Sequence, residues 1–153
     1  MAEQPVGKTK HTELTLDQIA SMQPGLGSLM PLVSDRYWIA YYAAHGGNWA
    51  LAAHEIAELA KLLQQAALTR PKYEPQLTAY ERTTVADLLQ AIGARDLASF
   101  DAVFRKGTEA ANAYHKSLGH PEITWRLPRQ PPDHLDLSAP SPGAPSDAPP
   151  DRP

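Results

Sequence analysis

The chain has 153 residues, a length typical of one domain, and no cysteine, which excludes disulfides, thiolate metal sites and covalent haem attachment. Fourteen Lys and Arg residues against seventeen Asp and Glu give a formal charge of −3. Because the basic residues are scattered, nucleic acid is not an expected partner. No apolar run reaches the roughly 18 residues of a membrane span, so no membrane association is expected either.

Residues 1–13 are polar and are predicted to form a flexible lead-in. They lack the apolar core of an export signal, which predicts a cytoplasmic protein, or a periplasmic one if a leader has been trimmed. Thr15 is a suitable N-cap for a short helix that carries Leu16, Ile19 and Met22 at helical spacing.

Four longer helical patterns follow, over about 26–44, 49–67, 76–94 and 97–118. Pro31 is expected in the first turn of the first, and Asn48 and Asp96 are expected to cap the second and the last. On the second, Glu55 is assigned to the polar face, where His54 and Glu58 are also placed; a solvated face is preferred there over a metal site. Short connections predict an all-α, antiparallel four-helix bundle over residues 14–128.

After the last helix, residues 123–127 alternate apolar and polar, which places Trp125 over the open end of the bundle. Nine of the last 26 residues are proline. Residues 129–153 are therefore predicted to form a disordered proline-rich tail.

Five blocks of sequence occur in a characteristic order: Pro24-Gly25-Leu26-Gly27 with Leu29-Met30, residues 43–52, Asp101 with Phe104, Ala111-Asn112-Ala113-Tyr114-His115, and residues 123–128. Together they resemble a proteobacterial family of small exported c-type cytochromes, four-helix bundles of the cytochrome c′ type. The fourth block resembles the family's haem-attachment motif C-N-A-C-H. The resemblance spans roughly residues 20–128.

The resemblance implies that Ala111 and Tyr114 occupy the positions of the haem-bonding cysteines, and that His115 matches the axial haem ligand. Both thiols are missing, so these three residues are the candidate remnant of a haem site. On the predicted last helix Ala111 and Tyr114 face the core, and the Tyr114 ring is expected to fill the space beside His115. A protein with no cofactor is therefore the leading expectation.

The leading functional hypothesis is a non-enzymatic, cytochrome-like bundle that binds a protein partner or a small apolar ligand, or forms a homodimer through an aromatic-rich helical face. The alternative is a protein that holds haem non-covalently, with His115 ligating the iron, in electron transfer or in gas or haem sensing. A metal or redox enzyme built on His45, His54 and His115 is the least supported interpretation.

Overall fold

The computed structural model describes residues 6–140, and most of this part of the chain is helical. The elements in chain order are strands β1 (Val6–Lys8) and β2 (Glu13–Thr15), helices α1 (Leu16–Ser21), α2 (Leu26–His45) and α3 (Trp49–Thr69), a 3-10 turn (Pro71–Tyr73), α4 (Glu74–Tyr80), a π-helical turn (Glu81–Val85), α5 (Ala86–Ala94) and α6 (Leu97–Ser117). Within residues 6–140, no helix combines the length and the apolar character that a membrane span requires. The all-α prediction is confirmed apart from one small sheet.

That sheet lies where the sequence predicts only a flexible lead-in. Strand β1 pairs antiparallel with β2, with Val6 opposite Thr15. The Thr9 hydroxyl accepts the backbone N–H groups of His11 and Thr12, which closes the turn between the strands. These local side-chain bonds form a hairpin that the hydrophobic pattern does not reveal. Residues 1–5 of the predicted lead-in lie outside the described residues.

Side-chain caps fix the starts of three helices, as the sequence predicts. Thr15 forms a reciprocal capping box with Gln18 at the start of α1. Asn48 Oδ1 accepts the backbone N–H of Leu51 at 3.1 Å, and Asp96 Oδ1 accepts that of Ser99 at 3.0 Å. Each cap satisfies an N–H group that has no partner inside its helix.

Pro31 lies in the second turn of α2 and not in the first, because the helix already begins at Leu26. At this position the missing proline N–H removes a helical hydrogen bond. The Gly27 carbonyl, four residues earlier, is the group that loses its α-helical donor. Gly27 and Pro31 also line a cavity.

The predicted helix over residues 76–94 begins earlier, at Glu74, and contains the π-helical turn between α4 and α5. Two observations accompany the turn. The Thr83 hydroxyl donates to the Ala79 carbonyl at 2.8 Å and so shares an acceptor of the helical ladder. Thr84 is buried against Gly107 of α6, where a Cβ would also meet the Tyr37 hydroxyl at 2.5 Å. The extra residue of the π turn thus coincides with a close approach of two helices.

Helices α2 to α6 share one hydrophobic core. Its largest fully buried side chains come from four of these helices: Val33, Ile56, Leu59, Leu88 and Phe100. On α6 the residues at alternating spacings of three and four are predicted to face inward: Leu97, Phe100, Phe104, Gly107, Ala111, Tyr114 and Leu118. Those from Phe100 through Ala111 are buried, Leu97 is 36% exposed, and Tyr114 and Leu118 are half-buried. The periodicity therefore identifies the core face correctly in the middle of the helix.

Glu55 is buried at 6% exposure, which corrects its assignment to the polar face of α3. Arg36 Nη1 of α2 donates to Glu55 Oε2 at 2.9 Å. A buried carboxylate requires such a partner. Arg36 therefore pairs across the α2–α3 contact.

The segment after Pro128 packs against the end of α2 over its described part, residues 129–140, and this corrects the predicted tail. The Tyr42 hydroxyl donates to the Pro128 carbonyl at 2.6 Å, and the Ala139 N–H donates to the Gly46 carbonyl at 3.2 Å. Pro132 is buried, and Leu137 packs on the core. A Cβ at position 46 would collide with the Leu137 carbonyl. Because Gly46 has no side chain, the segment can pack closely against the end of α2. Residues 141–153 of the predicted tail lie outside the described residues.

Candidate functional site

Ala111, Tyr114 and His115 lie on α6 and line one cavity of about 480 Å³. Residues three and four apart on a helix share a face, so the helix itself places the three side chains together. Ala111 is buried, whereas Tyr114 and His115 are half-buried. The sequence predicts that Tyr114 fills this space, whereas in the structure Tyr114 is part of the wall and the cavity stays open.

The remaining walls come from α2, α3, the 3-10 turn, α4 and the segment after α6. They are predominantly apolar. The main apolar contributors are Leu26, Met30, Val33, Leu63, Leu77 and Leu118. A cavity of this volume with an apolar lining is within the size range of small-molecule sites in proteins.

His115 has one ring nitrogen committed to the backbone. Its Nδ1 lies 3.1 Å from the Ile123 carbonyl oxygen, which can only accept a hydrogen bond. Nδ1 therefore carries the proton, and in the neutral ring Nε2 keeps its lone pair. Burial lowers the pKa of His115 below its ordinary value of 6.5, which favours this neutral ring, while the Ile123 bond opposes the shift and the nearby His120 adds to it.

Trp125 is held against the cavity by Asn112, the central residue of the 111–115 block. Asn112 Nδ2 donates to the Trp125 carbonyl at 3.0 Å, and the Trp125 N–H donates to Asn112 Oδ1 at 2.6 Å. The Trp125 ring also lies 5.4 Å from the Tyr37 ring and 5.9 Å from the His115 ring, centroid to centroid. The sequence places Trp125 over the end of the bundle, but it does not reveal that Asn112 binds it.

Two buried polar atoms of the wall residues were not identified from the sequence. They are Gln76 Oε1 and the Tyr80 hydroxyl, and neither has a hydrogen-bond partner among the described residues. Nothing in the local sequence pattern distinguishes Gln76 or Tyr80 as a polar group of a site.

The three histidines of the proposed redox enzyme are not assembled into a site. His45 pairs with Asp101 at 2.7 Å between Nε2 and Oδ1 and lies against the Tyr41 ring, while His54 is exposed on α3. Within residues 6–140, no group of three or more His, Cys, Asp or Glu side chains is placed to hold a metal ion.

Comparisons of the chain with protein-family models, with curated proteins and with solved structures found no significant match. The fold and the site therefore define the class of protein by themselves: a helical protein with an apolar cavity and a neutral imidazole in its wall.

Proposed function

We propose that this chain is a non-enzymatic, cytochrome-like four-helix-bundle protein that binds a small apolar ligand without covalent attachment. The single observation that supports binding is the cavity of about 480 Å³ beside Ala111, Tyr114 and His115. Burying an apolar molecule there removes its surface from water, which contributes roughly 25 cal/mol for each Å² buried.

The bundle assignment is supported by the short connections between consecutive long helices. Residues 46–48 join α2 to α3, and Arg95-Asp96 joins α5 to α6. Connections of this length favour antiparallel neighbours, and in bundles ligand sites form between facing helices. The cavity between α2, α4 and α6 matches that placement.

The proposal is tested with 2-methylnaphthalene as an apolar probe, followed by shifts of backbone amide signals in NMR spectra. We expect a Kd of about 100 µM or tighter, with shifts confined to residues around the cavity. Ala111→Leu should weaken binding at least about tenfold because the added atoms occupy the cavity. Ala113→Leu is the matched control on the exposed face of the same helix.

Both variants must first show the helical circular dichroism of the parent chain. Equal binding by the parent, Ala111→Leu and Ala113→Leu would place the probe elsewhere and reject the cavity as the site. An absence of probe binding to the parent would also reject the proposal.

Haem is a second candidate, favoured by the hydrogen bond that orients His115. A histidine that binds a metal typically donates its other ring N–H to a carbonyl or carboxylate, as His115 Nδ1 does to Ile123. The neutral Nε2 is a suitable iron ligand, and bound haem would supply redox or gas-binding chemistry. However, the described wall residues include no Lys or Arg to neutralise the propionates, which would have to face solvent.

A hemin titration tests this candidate. A Soret band that is lost in His115→Ala and kept in His120→Ala would support haem ligation by His115. A band that survives in His115→Ala, or the absence of any band, would reject it.

A further inference from the structure

We propose that the ligand of this cavity is a neutral aromatic molecule with a hydrogen-bond donor on its ring, and that His115 accepts this donor through Nε2. The inference rests on the proposed binding of an apolar ligand. It specifies three properties of that ligand: its net charge, its aromatic ring and the hydrogen-bond donor that contacts His115.

The charge follows from the composition of the wall. Within the described part of the chain, the residues that line the cavity include no Asp, Glu, Lys or Arg. The polar lining consists of neutral side chains and two imidazoles, those of His115 and His120. An ionised ligand would lose its hydration and gain no ionic partner, at a cost far above that of a neutral one. A neutral ligand is therefore favoured.

The preference for a donor follows from the bond between His115 and Ile123. Since Nδ1 donates its proton to the carbonyl, a neutral His115 has only the Nε2 lone pair to offer. A ligand with an O–H or N–H group satisfies this lone pair, and a ligand with only acceptors does not.

Two wall residues each carry a buried side-chain oxygen without a hydrogen-bond partner among the described residues: Gln76 Oε1 and the Tyr80 hydroxyl. Gln76 Oε1 can only accept a hydrogen bond, whereas the Tyr80 hydroxyl can donate or accept one. Both are therefore compatible with a ligand that donates, and the preference for a donor is assigned to His115 Nε2.

The aromatic character follows from the rings in the wall. Tyr73, Tyr80, Tyr114 and Trp125 line the cavity on several sides, and Met30 adds a polarisable thioether. Aromatic rings stack on, or meet edgewise with, other aromatic rings, and methionine sulfur makes favourable contacts with them. A planar ring therefore gains more from these walls than an aliphatic chain of equal area.

The test compares two probes of nearly equal shape, 2-naphthol and 2-methylnaphthalene, with the full chain. The hydroxyl of the first replaces the methyl of the second, so the ratio of their dissociation constants isolates the donor. We expect 2-naphthol to bind more tightly, and His115→Phe to reduce this preference about fivefold or more. His115→Gln, which keeps an acceptor near the position of Nε2, should retain part of the preference.

His120→Phe is the matched control, because His120 also lines the cavity with its Nδ1 bound to Glu122 Oε1 at 3.0 Å, but its side chain is 55% exposed. Water can therefore satisfy the His120 Nε2, and a ligand donor gains little there. The ratio for His120→Phe should equal that of the parent. If both probes bind and 2-naphthol has no advantage, or if His120→Phe removes the advantage and His115→Phe does not, the donor proposal is wrong while the apolar site stands. If neither probe binds, the proposed function itself fails.

Discussion

Gly107 of α6 lies where the core leaves no room for a side chain. A Cβ at this residue would overlap the Thr84 side chain and would lie 2.5 Å from the Tyr37 hydroxyl. The Tyr37 hydroxyl is itself fixed, because it donates to the Phe104 carbonyl at 2.6 Å. Burial raises the pKa of Tyr37 to about 12, so this hydroxyl stays protonated and keeps its donor role at physiological pH.

We predict that Gly107→Ala lowers the free energy of unfolding by about 1 to 3 kcal/mol, because neither neighbour can move without disturbing buried contacts. Urea denaturation followed by circular dichroism measures the change. Gly93→Ala is the control: it lies on α5 with no atom within 4 Å of the added Cβ and should stabilise the chain by up to about 1 kcal/mol. Equal changes in the free energy of unfolding for the two substitutions would contradict the close packing of Thr84 and Tyr37 against Gly107.

His115 should make the free energy of unfolding depend on pH. Its folded-state pKa lies below 6.5, so as pH falls the unfolded chain binds the proton first. Relative to His115→Gln, the parent should lose unfolding free energy as pH falls below about 6.5, and the loss should level off below the folded pKa. Denaturation curves at pH 7.5, 6.0 and 5.0 measure the difference. A difference that does not change with pH would show that burial does not disfavour the imidazolium.

At the scale of elements, the segment after α6 owes its position to one side chain of that helix. Asn112 binds the backbone of Trp125 twice, and Trp125 in turn contacts Tyr37 and His115. This explains how residues without regular secondary structure form a defined wall of the cavity. Residues 111–115 thus contribute both His115, which lines the cavity, and Asn112, which holds Trp125 in the cavity wall.

We predict that Asn112→Ala lowers the free energy of unfolding by about 1 to 3 kcal/mol and accelerates amide hydrogen exchange at Trp125. Asn112→Asp keeps the oxygen that accepts the Trp125 N–H and replaces the donor by a charged carboxylate oxygen, which repels the Trp125 carbonyl. In that variant the Trp125 amide should remain protected, while stability still falls. Unchanged exchange at Trp125 in Asn112→Ala would show that other contacts hold the segment.

At the scale of the whole molecule, the proline-rich segment is part of the folded domain as far as Pro140. Pro132 is buried, Leu137 packs on the core, and Ala139 binds the end of α2. Prolines favour an extended chain, but extended chain with apolar side chains can still cover a core. Composition alone therefore misassigns residues 129–140.

We predict that a chain ending at Pro128 has a free energy of unfolding about 2 kcal/mol lower than a chain ending at Pro140, because the buried area of Pro132 and Leu137 is lost. Guanidinium denaturation of the two truncated chains measures this difference. Equal midpoints and slopes would mean that the segment from 129 to 140 contributes nothing to stability.

The sequence by itself determined the helices, their caps and most of the core face, because these depend on local spacing and on side chains such as Asn48 and Asp96 that bond within one turn. It also marked Ala111, Tyr114 and His115 as neighbours, since helical periodicity places them on one face. Only the tertiary structure decided that Glu55 is buried against Arg36, that Asn112 holds Trp125, and that the space beside His115 stays open around Tyr114. Each of these contacts joins side chains that are far apart in the sequence. Such contacts depend on how the helices pack together, which the local spacing of residues does not determine.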